Sequence, residues 1–452
     1  MNTLALLLAL LPLGAAAPPT PTPVGPAARD DREPPAPRPA ATEPTPPPRD
    51  DVPPRAADHA EASDALELRE LFAMLRDRSP KLAAERAKIE VAKARFQGAK
   101  VYPNPIVNFQ ALQLLSGYNQ NGFGTYTVFL QQPVLIAGQR VMRRRAAAAE
   151  QAKAEAEVER SFHDLAAEGR HLFASLQARQ RHHGILERAV TDLERVRSVV
   201  EARHSAGAES RYDVVRIGLE VAKWRAKLPA STAEIHDAGG KIGVLVGRPR
   251  WRPTAAGTLA PTGFDADPEV LWPDVERTQP SIQAARRNQT LAARELQVAR
   301  REAMPTPTLG FGIVGIDNFF SMSALGGVTM PLPVFDWGQG PVAKARAEAH
   351  VADLETKAVL AEAKAELERA VDVMRERRTA LAQFERDVLA QTEGIQRMAE
   401  DSYVTGQASI LELIDALEIH YEVELEHIDL VEAVVQAEID LLHVLGRIEE
   451  EP

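Results

Sequence analysis

The segment 102–140 constrains the fold more than any other stretch, because it interrupts a sequence whose pattern is otherwise helical. Pro103 and Pro105 open the segment. Proline disfavours a helix here because it lacks a backbone donor and keeps the preceding residue out of the helical region. Alternating residues then form two runs, 107–112 and 126–131, with the period of two that is typical of β-strands with two different faces. A cluster of Ser, Gly and Asn separates the runs, so the segment predicts a β-hairpin.

The same pattern occurs once more, in the segment 304–340. Gly138 and Gly338 are matching positions, and an offset of about 200 residues is too long for a solenoid and indicates a duplication. The sequence therefore predicts two hairpins, 105–133 and 307–332, in a chain that is otherwise almost entirely helical. Glycines in the second hairpin indicate tight curvature or crowded packing: Gly310, Gly312, Gly315, Gly326 and Gly327.

Each hairpin is followed by about 65 residues of helical pattern, 140–204 and 341–405, and such a helix is about 100 Å long at 1.5 Å per residue. A shorter helix precedes each hairpin, and a medium helix follows each long one after a break at Gly207 or Gly406. Pro229 predicts a kink or a register shift in the first medium helix. The short and medium helices together match the long one, so we expect them to lie end to end beside it.

The N-terminal sequence predicts export. An apolar run of about 14 residues followed by small residues is too short for a membrane span and is typical of a signal peptide, although no Lys or Arg precedes it. The Ala/Pro-rich stretch that follows cannot bury enough apolar surface to fold. The predicted organisation is a signal peptide (1–17), a disordered linker (18–62), a first repeat (63–246), an inter-repeat linker (247–274), a second repeat (275–447) and a tail (448–452).

Composition argues against several classes of function. The 452 residues carry a formal net charge of −11, which argues against a nucleic-acid partner. The sequence has no cysteine, so it offers no disulfide, no thiolate chemistry and no cysteine that could accept a lipid. It also has no phosphate-binding loop, no catalytic-triad order and no metal-ligand spacing, so an enzyme is not predicted.

The hairpins favour a membrane location. An isolated two-stranded hairpin is marginally stable in water, whereas strands of about 9–11 residues match the hydrophobic thickness of a bilayer. Lipid cannot satisfy an open sheet edge, so membrane strands must close into a barrel. Four strands per chain do not close alone, but three chains would supply twelve. Trimerisation is therefore expected if the strands span a membrane.

Three short motifs in the first half are matched, in the same order, by three in the second half. They begin at Ser79 (Ser-Pro-Lys-Leu), Tyr102 (Tyr-Pro-Asn-Pro), Gln132 (Gln-Pro-Val-Leu-Ile-Ala-Gly-Gln), Gln279 (Gln-Pro-Ser-Ile), Met304 (Met-Pro-Thr-Pro-Thr-Leu) and Pro331 (Pro-Leu-Pro-Val-Phe-Asp-Trp-Gly-Gln-Gly). Across about residues 64–447, this series resembles the outer-membrane efflux proteins of the TolC type. Within that family, the nearest resemblance is to the branch that exports heavy metals and other cations.

The resemblance implies a mainly helical protein with a membrane β-barrel part. Each chain would comprise two tandem repeats of short helix, β-hairpin, very long helix and medium helix. A homotrimer would form a 12-stranded barrel in the outer membrane on a 12-helix periplasmic tunnel. Proteins of this family are passive exit ducts for metal ions or small toxic compounds. Their partners are outer-membrane lipid, a periplasmic adaptor and an inner-membrane pump, here expected to be of the resistance-nodulation-division type.

The resemblance further implies no catalytic residue and no cofactor. Members of the metal branch often carry a lipid on an N-terminal cysteine, which is absent from this sequence, so lipidation is not expected.

The resemblance also assigns roles to three sets of residues. Adaptor-contacting helical tips correspond to Gly207, Ser210, Asp213, Gly406 and Ser409, of which the two serines suit helix N-caps. Acidic rings at the periplasmic entrance correspond to Glu412 and Asp415, which share a helix face; the family's type member has Asp where this chain has Glu412. The junction between barrel and tunnel corresponds to Pro103, Pro105, Pro133, Gly138, Pro305, Pro307, Pro333 and Gly338.

Other charged residues have less specific interpretations. Four arginines after the first hairpin suit either a rim anchor or ordinary surface charge: Arg140, Arg143, Arg144 and Arg145. Asp213 and Arg216 predict a local ion pair across one helical turn. Eight histidines lack ligand-like spacing, which predicts helix-surface positions and no metal site: His163, His171, His182, His183, His204, His236, His420 and His427.

The residues leave three hypotheses open. The first is the outer-membrane exit duct of a pump-driven efflux system. The second keeps the duct but couples it to a type I secretion ATPase. The third is a periplasmic coiled-coil scaffold whose hairpins only cap the rod, and dependence on detergent separates this scaffold from either duct.

Overall fold

The computed structural model describes residues 65–113, 124–263, 267–316 and 321–450, all within one compact unit, Glu61–Pro452. The predicted signal peptide and N-terminal linker lie outside the described residues, as do the turns of both predicted hairpins. No prediction about those segments is therefore tested here.

The first half begins with a short strand and then alternates helices with one pair of longer strands. Its elements are β1 (Ala65–Leu66), α1 (Leu68–Arg78), α2 (Pro80–Gly98), β2 (Ile106–Gln113), β3 (Gly124–Pro133), α3 (Gln139–Ser205), α4 (Arg211–Leu245) and β4 (Thr254–Ala255). Pro80 occupies the first turn of α2, where its missing N–H costs no hydrogen bond. α4 is a single helix that continues across Pro229.

The second half has the same order of helices and strands. Its elements are α5 (Pro268–Thr278), α6 (Pro280–Glu302), β5 (Thr308–Ile316), β6 (Ser321–Thr329), α7 (Gln339–Phe384), a π-helical turn (Glu385–Leu389), α8 (Ala390–Val404) and α9 (Ile410–Val444). The first half has one uninterrupted helix of 67 residues at the place that α7 and α8 occupy here.

The π-helical turn corrects the prediction of one continuous helix over 341–405. Such turns accommodate one residue more than an α-helical turn and are set by local packing rather than by composition. The sequence Glu-Arg-Asp-Val-Leu consists of ordinary helix-compatible residues, so it carries no signal for the interruption. Glu385 Oε1 lies 3.0 Å from His427 Nε2 of α9, so this turn contacts the neighbouring helix.

The shorter helices of each half pack along the long ones. α2 and α4 both contact α3, while α6 and α9 both contact α7. The glycine after α4 marks where α4 meets the start of α2, because a Cβ on Gly247 would lie 3.3 Å from Pro80 Cγ. A Cβ on Gly446 would likewise lie 3.3 Å from Gln279 Cα, where α9 meets the start of α6. In each half, the short and medium helices therefore follow one another end to end beside the long helix.

The core consists of thin apolar seams between helices rather than one thick centre. The larger seam joins α1, α3, α4 and α9, and the smaller one joins α5, α6, α7 and α9. Trp224 is fully buried in the larger seam, and its indole N–H donates to Glu220 Oε1 at 2.9 Å. Within the described ranges, no helix is both long enough and apolar enough to cross a membrane.

The four longer strands form one antiparallel sheet in the order β2-β3-β5-β6. Each hairpin pairs its own strands, and β3 pairs with β5 from Thr125↔Ile316 to Pro133↔Thr308. The sheet therefore unites the two halves of the chain.

Crowding explains two of the hairpin glycines. A Cβ on Gly310 would overlap the ring of Phe129, and a Cβ on Gly312 would overlap both that ring and the backbone oxygen of Val128. Gly315 and Gly327 have open space at this position. Crowded packing is therefore confirmed for Gly310 and Gly312, whereas Gly315 and Gly327 are not crowded, and the alternative of tight curvature stays a prediction for them.

Gly312→Ala is expected to destabilise the sheet, whereas Gly315→Ala on the same strand is not. The backbone oxygen of Val128 cannot rotate away from the added methyl, and overpacking of this kind costs about 1–3 kcal/mol. Thermal unfolding of the two purified variants in one detergent measures the difference. Equal melting temperatures would contradict the proposed crowding.

Candidate functional site

The hairpin sheet has one apolar face that is exposed in the single chain. Directly paired residues share a face, and one such row runs from Val107 through Leu130 and Phe311 to Gly326. Val107 and Phe311 are 65% and 68% exposed. The apolar members of this face are Val107, Phe109, Ala111, Tyr126, Val128, Leu130, Leu309, Phe311, Ile313, Met322, Ala324 and Val328. A contiguous apolar face of this kind requires a partner or a lipid environment.

The opposite face of the sheet contains more polar residues and glycines. Its rows include Gln110, Thr127 and Ser323, and the side chain of Asn108 donates to Gln131 Oε1 at 2.5 Å. The two faces therefore have different chemistry along all four strands, as the period of two in the sequence predicts.

Residues that bound the hairpins form a hydrogen-bonded junction between strands and helices. Gln132 Nε2 donates to the carbonyl oxygen of Pro103 at 2.9 Å, and Val134 N donates to that of Pro307 at 2.8 Å. These contacts hold the segments on either side of the sheet together. They bring the predicted junction prolines of both halves to the same end of the strands.

Gly138 and Gly338 precede the two long helices in left-handed conformations, with φ of 72° and 81°. A Cβ on Gly338 would also overlap Ala303, so this position has both a conformational and a steric need for glycine. A glutamine follows each glycine, and its side-chain oxygen accepts from the backbone N–H two residues earlier. Gln139 accepts from Ala137 at 3.0 Å, and Gln339 accepts from Trp337 at 2.9 Å. Sequence analysis overlooked these glutamines, although a Gly-Gln pair occurs in both halves.

Two of the arginines after the first hairpin have specific partners. Arg140 Nε donates to the carbonyl oxygen of Lys100 at 2.8 Å, and its guanidinium stacks on the Tyr102 ring at 4.3 Å. Arg143 pairs with Glu302 at 2.7 Å. Both arginines therefore hold the start of α3 to neighbouring elements, and only Arg144 and Arg145 fit the description of ordinary exposed charge.

Far from the sheet, the medium helices α4 and α9 each begin with a capping box. Ser210 Oγ accepts from Asp213 N at 3.2 Å, and Asp213 Oδ2 accepts from Ser210 N at 3.1 Å. Ser409 Oγ accepts from Glu412 N at 3.3 Å, and Glu412 Oε2 accepts from Ser409 N at 2.7 Å. Such reciprocal pairs satisfy two of the otherwise free donors at a helix start.

The capping boxes change the interpretation of Asp213 and Glu412. Asp213 binds its own helix start, and no ion pair joins it to Arg216 within the described residues, so the predicted local pair is wrong. Glu412 likewise binds back to Ser409, although it remains exposed. Asp415 is exposed three residues further along α9.

A set of contacts that sequence analysis missed joins the two helical tips. Arg203, near the end of α3, donates from Nη1 to the carbonyl oxygen of Tyr403 at 3.1 Å and from Nη2 to that of Val404 at 3.0 Å. Its guanidinium also stacks on the Tyr403 ring at 4.4 Å. The Tyr403 hydroxyl donates to Glu209 Oε1 at 3.0 Å, and we refer to Arg203, Glu209 and Tyr403 together as the tip clamp.

Burial and the Glu209 hydrogen bond raise the pKa of Tyr403 to about 12, so its hydroxyl remains a donor at neutral pH. Arg203 lies beside the break at Gly207, and Tyr403 lies beside the break at Gly406, where φ is 81° and 76°. Neither sequence position carries a motif, so only the packing of α3 against α8 and α9 reveals the clamp.

Comparison with known proteins identifies the architecture. The family model described as "Outer membrane efflux protein" matches residues 71–247, which span the first half. The cobalt-zinc-cadmium resistance protein CzcC of Cupriavidus metallidurans is 23% identical over 389 residues, covering 86% of this chain and 91% of that protein. The first half of this chain is therefore similar to the outer membrane efflux proteins.

Two solved structures share the fold of this chain. The outer membrane protein VceC of Vibrio cholerae superposes with a TM-score of 0.67 at 21% identity, covering 84% of this chain and 96% of that one. The CmeC outer membrane channel of Campylobacter jejuni superposes with a TM-score of 0.70 at 13% identity, covering 84% and 85%. The predicted TolC-type fold and the resemblance to the heavy-metal branch are thus confirmed. Because the family consists of efflux channels, the prediction that the protein is not an enzyme is also confirmed.

The histidines of this chain are less exposed than the sequence predicts. His163 and His420 are buried, and three histidine–aspartate pairs join α3 to α9: His443–Asp164, His171–Asp440 and His182–Asp429, at 3.1, 3.0 and 3.1 Å. The prediction of helix-surface positions is therefore wrong for these histidines. A long helix that packs against two neighbours has little surface exposed to solvent. The pattern of residues within one helix does not show which of its faces a neighbouring helix covers.

The His171–Asp440 pair is expected to stabilise the protein most between about pH 4 and 6.5. Burial alone lowers the pKa of His171, but its bonds to Asp440 and Gln436 raise it above the usual 6.5; the bond from His171 lowers the pKa of Asp440 below 3.8. The stabilisation that His171 contributes is complete below pH 6.5 and is lost as the pH rises through the pKa of His171 in the folded protein. The stabilisation that Asp440 contributes is complete above pH 3.8 and is lost as the pH falls through the pKa of Asp440 in the folded protein.

Melting temperature against pH tests this window, with His171→Gln compared with the exposed control His236→Gln. His171→Gln should lower stability by no more than about 1 kcal/mol, since both partners are partly solvated, and the deficit should shrink above pH 7. A deficit that is constant with pH would contradict the assignment.

Proposed function

We propose that the chain is the outer-membrane exit duct of a tripartite efflux system. The observation that carries this proposal is the four-stranded sheet with one exposed apolar face, joined directly to paired helices of about 100 Å. An apolar face on one side and a face richer in polar residues and glycine on the other match strands that separate lipid from an aqueous lumen. The match of residues 71–247 to the outer membrane efflux family and the similarity to CzcC support the same function and an outer-membrane location.

The duct would be a homotrimer. β2 and β6 are the edge strands of the sheet, and edges exposed to lipid must be paired. Three copies would supply twelve strands, and β2 of one copy would pair with β6 of the next. The two halves of each chain would act as tandem repeats, whose paired helices form the tunnel. The prolines and glycines at 103, 105, 133, 138, 305, 307, 333 and 338 would then mark the passage from barrel to tunnel.

The helical tips would contact the periplasmic adaptor, and through it the inner-membrane pump, which we propose to be of the resistance-nodulation-division type. Gly207, Ser210, Asp213, Gly406 and Ser409 lie at these tips, where the capping boxes give each turn a fixed shape. A fixed, symmetric set of turns is a suitable surface for a partner. The relative named for cobalt, zinc and cadmium resistance favours metal ions as the exported compounds.

Glu412 and Asp415 would line the periplasmic entrance. Threefold symmetry would bring three copies of each carboxylate around one axis, and such rings attract cations. The capping role of Glu412 is compatible with this proposal, because its carboxylate remains exposed.

Single-channel conductance in a planar bilayer tests the duct and its entrance together. Glu412→Gln plus Asp415→Asn removes the charges while keeping groups that can cap the helix. The wild-type protein should open discretely and prefer cations, and the double variant should lose most of that preference. Glu422→Gln, which changes an exposed carboxylate further along α9, is the matched control and should conduct like the wild type.

Protein that stays soluble without detergent and never inserts would favour the periplasmic scaffold. Normal openings with unchanged cation selectivity in the double variant would support the duct but contradict the proposal that Glu412 and Asp415 line its entrance.

The tip clamp is expected to hold the entrance closed. Arg203→Ala with Tyr403→Phe removes two hydrogen bonds from a charged group and one hydroxyl bond. Together these are worth at least about 1.4 kcal/mol, so the ratio of open to closed channels should rise at least tenfold. Arg197→Ala, which removes a pair with Glu201 inside α3 alone, is the control. An unchanged open fraction in the clamp variant would contradict a gating role.

A further inference from the structure

Three potential metal ligands meet between α3 and α9: His163, Asp164 and His443. One ligand atom from each lies within 4.8 Å of the other two. The two imidazole rings stack with centroids 4.7 Å apart and planes at 22°, and His443 Nε2 lies 3.1 Å from Asp164 Oδ1. No other group of at least three such residues comes together elsewhere in the described residues.

A buried nitrogen without a hydrogen-bond partner is the second observation. His163 is only 6% exposed, and its Nε2 has no hydrogen-bond partner. Buried polar atoms are nearly always satisfied, and this unsatisfied nitrogen belongs to a histidine that lies beside two further potential ligands.

We propose that His163, Asp164 and His443 bind a divalent transition-metal ion of the zinc class. Two imidazole nitrogens and one carboxylate oxygen are ligands that Zn²⁺ accepts, with water in the fourth position. Ca²⁺ and Mg²⁺ prefer all-oxygen sites, so the ligand set disfavours them.

Binding requires the His163 ring to rotate, because a metal ion lies in the plane of each imidazole that binds it, whereas the two rings are stacked. Bonds of about 2.0–2.2 Å in a tetrahedral site place the ligand atoms about 3.4 Å apart. His443 Nε2 and Asp164 Oδ1, 3.1 Å apart, are already close to this separation, so rotation of the His163 ring toward them would complete the set. Arg160 Nη1 lies 3.5 Å from the other oxygen of Asp164, and its Nε is occupied by Glu157 at 2.9 Å. Oδ1 therefore stays available to the ion.

The ion would cross-link the two halves of the chain. His163 and Asp164 belong to α3, whereas His443 lies in the last turn of α9, 279 residues beyond Asp164. Because His163 is buried, the ion would be a fixed structural component rather than a transported one. This role does not depend on the proposed duct.

Zn²⁺ titration by calorimetry tests the proposal on untagged full-length protein, purified in detergent and freed of metal by a chelator. We expect one Zn²⁺ per chain in the wild type, with affinity at least tenfold lower in Asp164→Asn and in His443→Asn. These two residues are partly exposed, so the variants should fold. His171→Asn is the matched control, because its pair with Asp440 has the same chemistry on the same two helices but only one imidazole, and it should bind like the wild type.

A spectroscopic measurement covers the buried ligand. Imidazole also suits Cu²⁺, so wild-type protein with one equivalent of Cu²⁺ should show hyperfine coupling to two nitrogens, and His163→Gln should show one. The proposal is overturned if the wild type binds no Zn²⁺, if Asp164→Asn and His443→Asn bind it unchanged, or if His171→Asn loses binding equally.

Discussion

The pairing of β3 with β5 is the interaction on which the rest of the structure depends. It joins strands that belong to different halves of the chain, over nine residue pairs from Thr125↔Ile316 to Pro133↔Thr308. Because α3 follows β3 and α6 precedes β5, this pairing places the helices of both halves side by side. The contacts of α3 with α6 and with α9 follow from that arrangement.

Small side chains make such close helical packing possible. Alanine is common among the buried positions of α3 and α7, and large apolar side chains such as Trp224 are concentrated where α3, α4 and α9 meet. Thin seams leave polar residues near the interface, which explains why histidine–aspartate pairs and Arg203 lie between helices. The same seams give the chain its two interhelical features of interest, the tip clamp at one end and the proposed cation site further along α3.

The hairpin sheet and the helices impose different requirements on one chain. The sheet exposes apolar side chains on one face and has two open edges, and both features call for a membrane and further copies. The helices instead bury their apolar seams against one another and expose many charged residues. In the proposed duct, the glycines and glutamines at the start of α3 and α7 lie where these two environments meet.

The sequence by itself determined the element order, the resemblance to outer membrane efflux proteins, the two faces of the hairpins and the capping residues Ser210 and Ser409. Each of these depends on local periodicity, on proline and glycine, or on a short motif. Only the tertiary structure decided the β3–β5 register, the π-helical turn, the tip clamp and the meeting of His163 with His443. These features join residues far apart in the chain, and a pattern within one helix contains no information about which side chain the neighbouring helix presents.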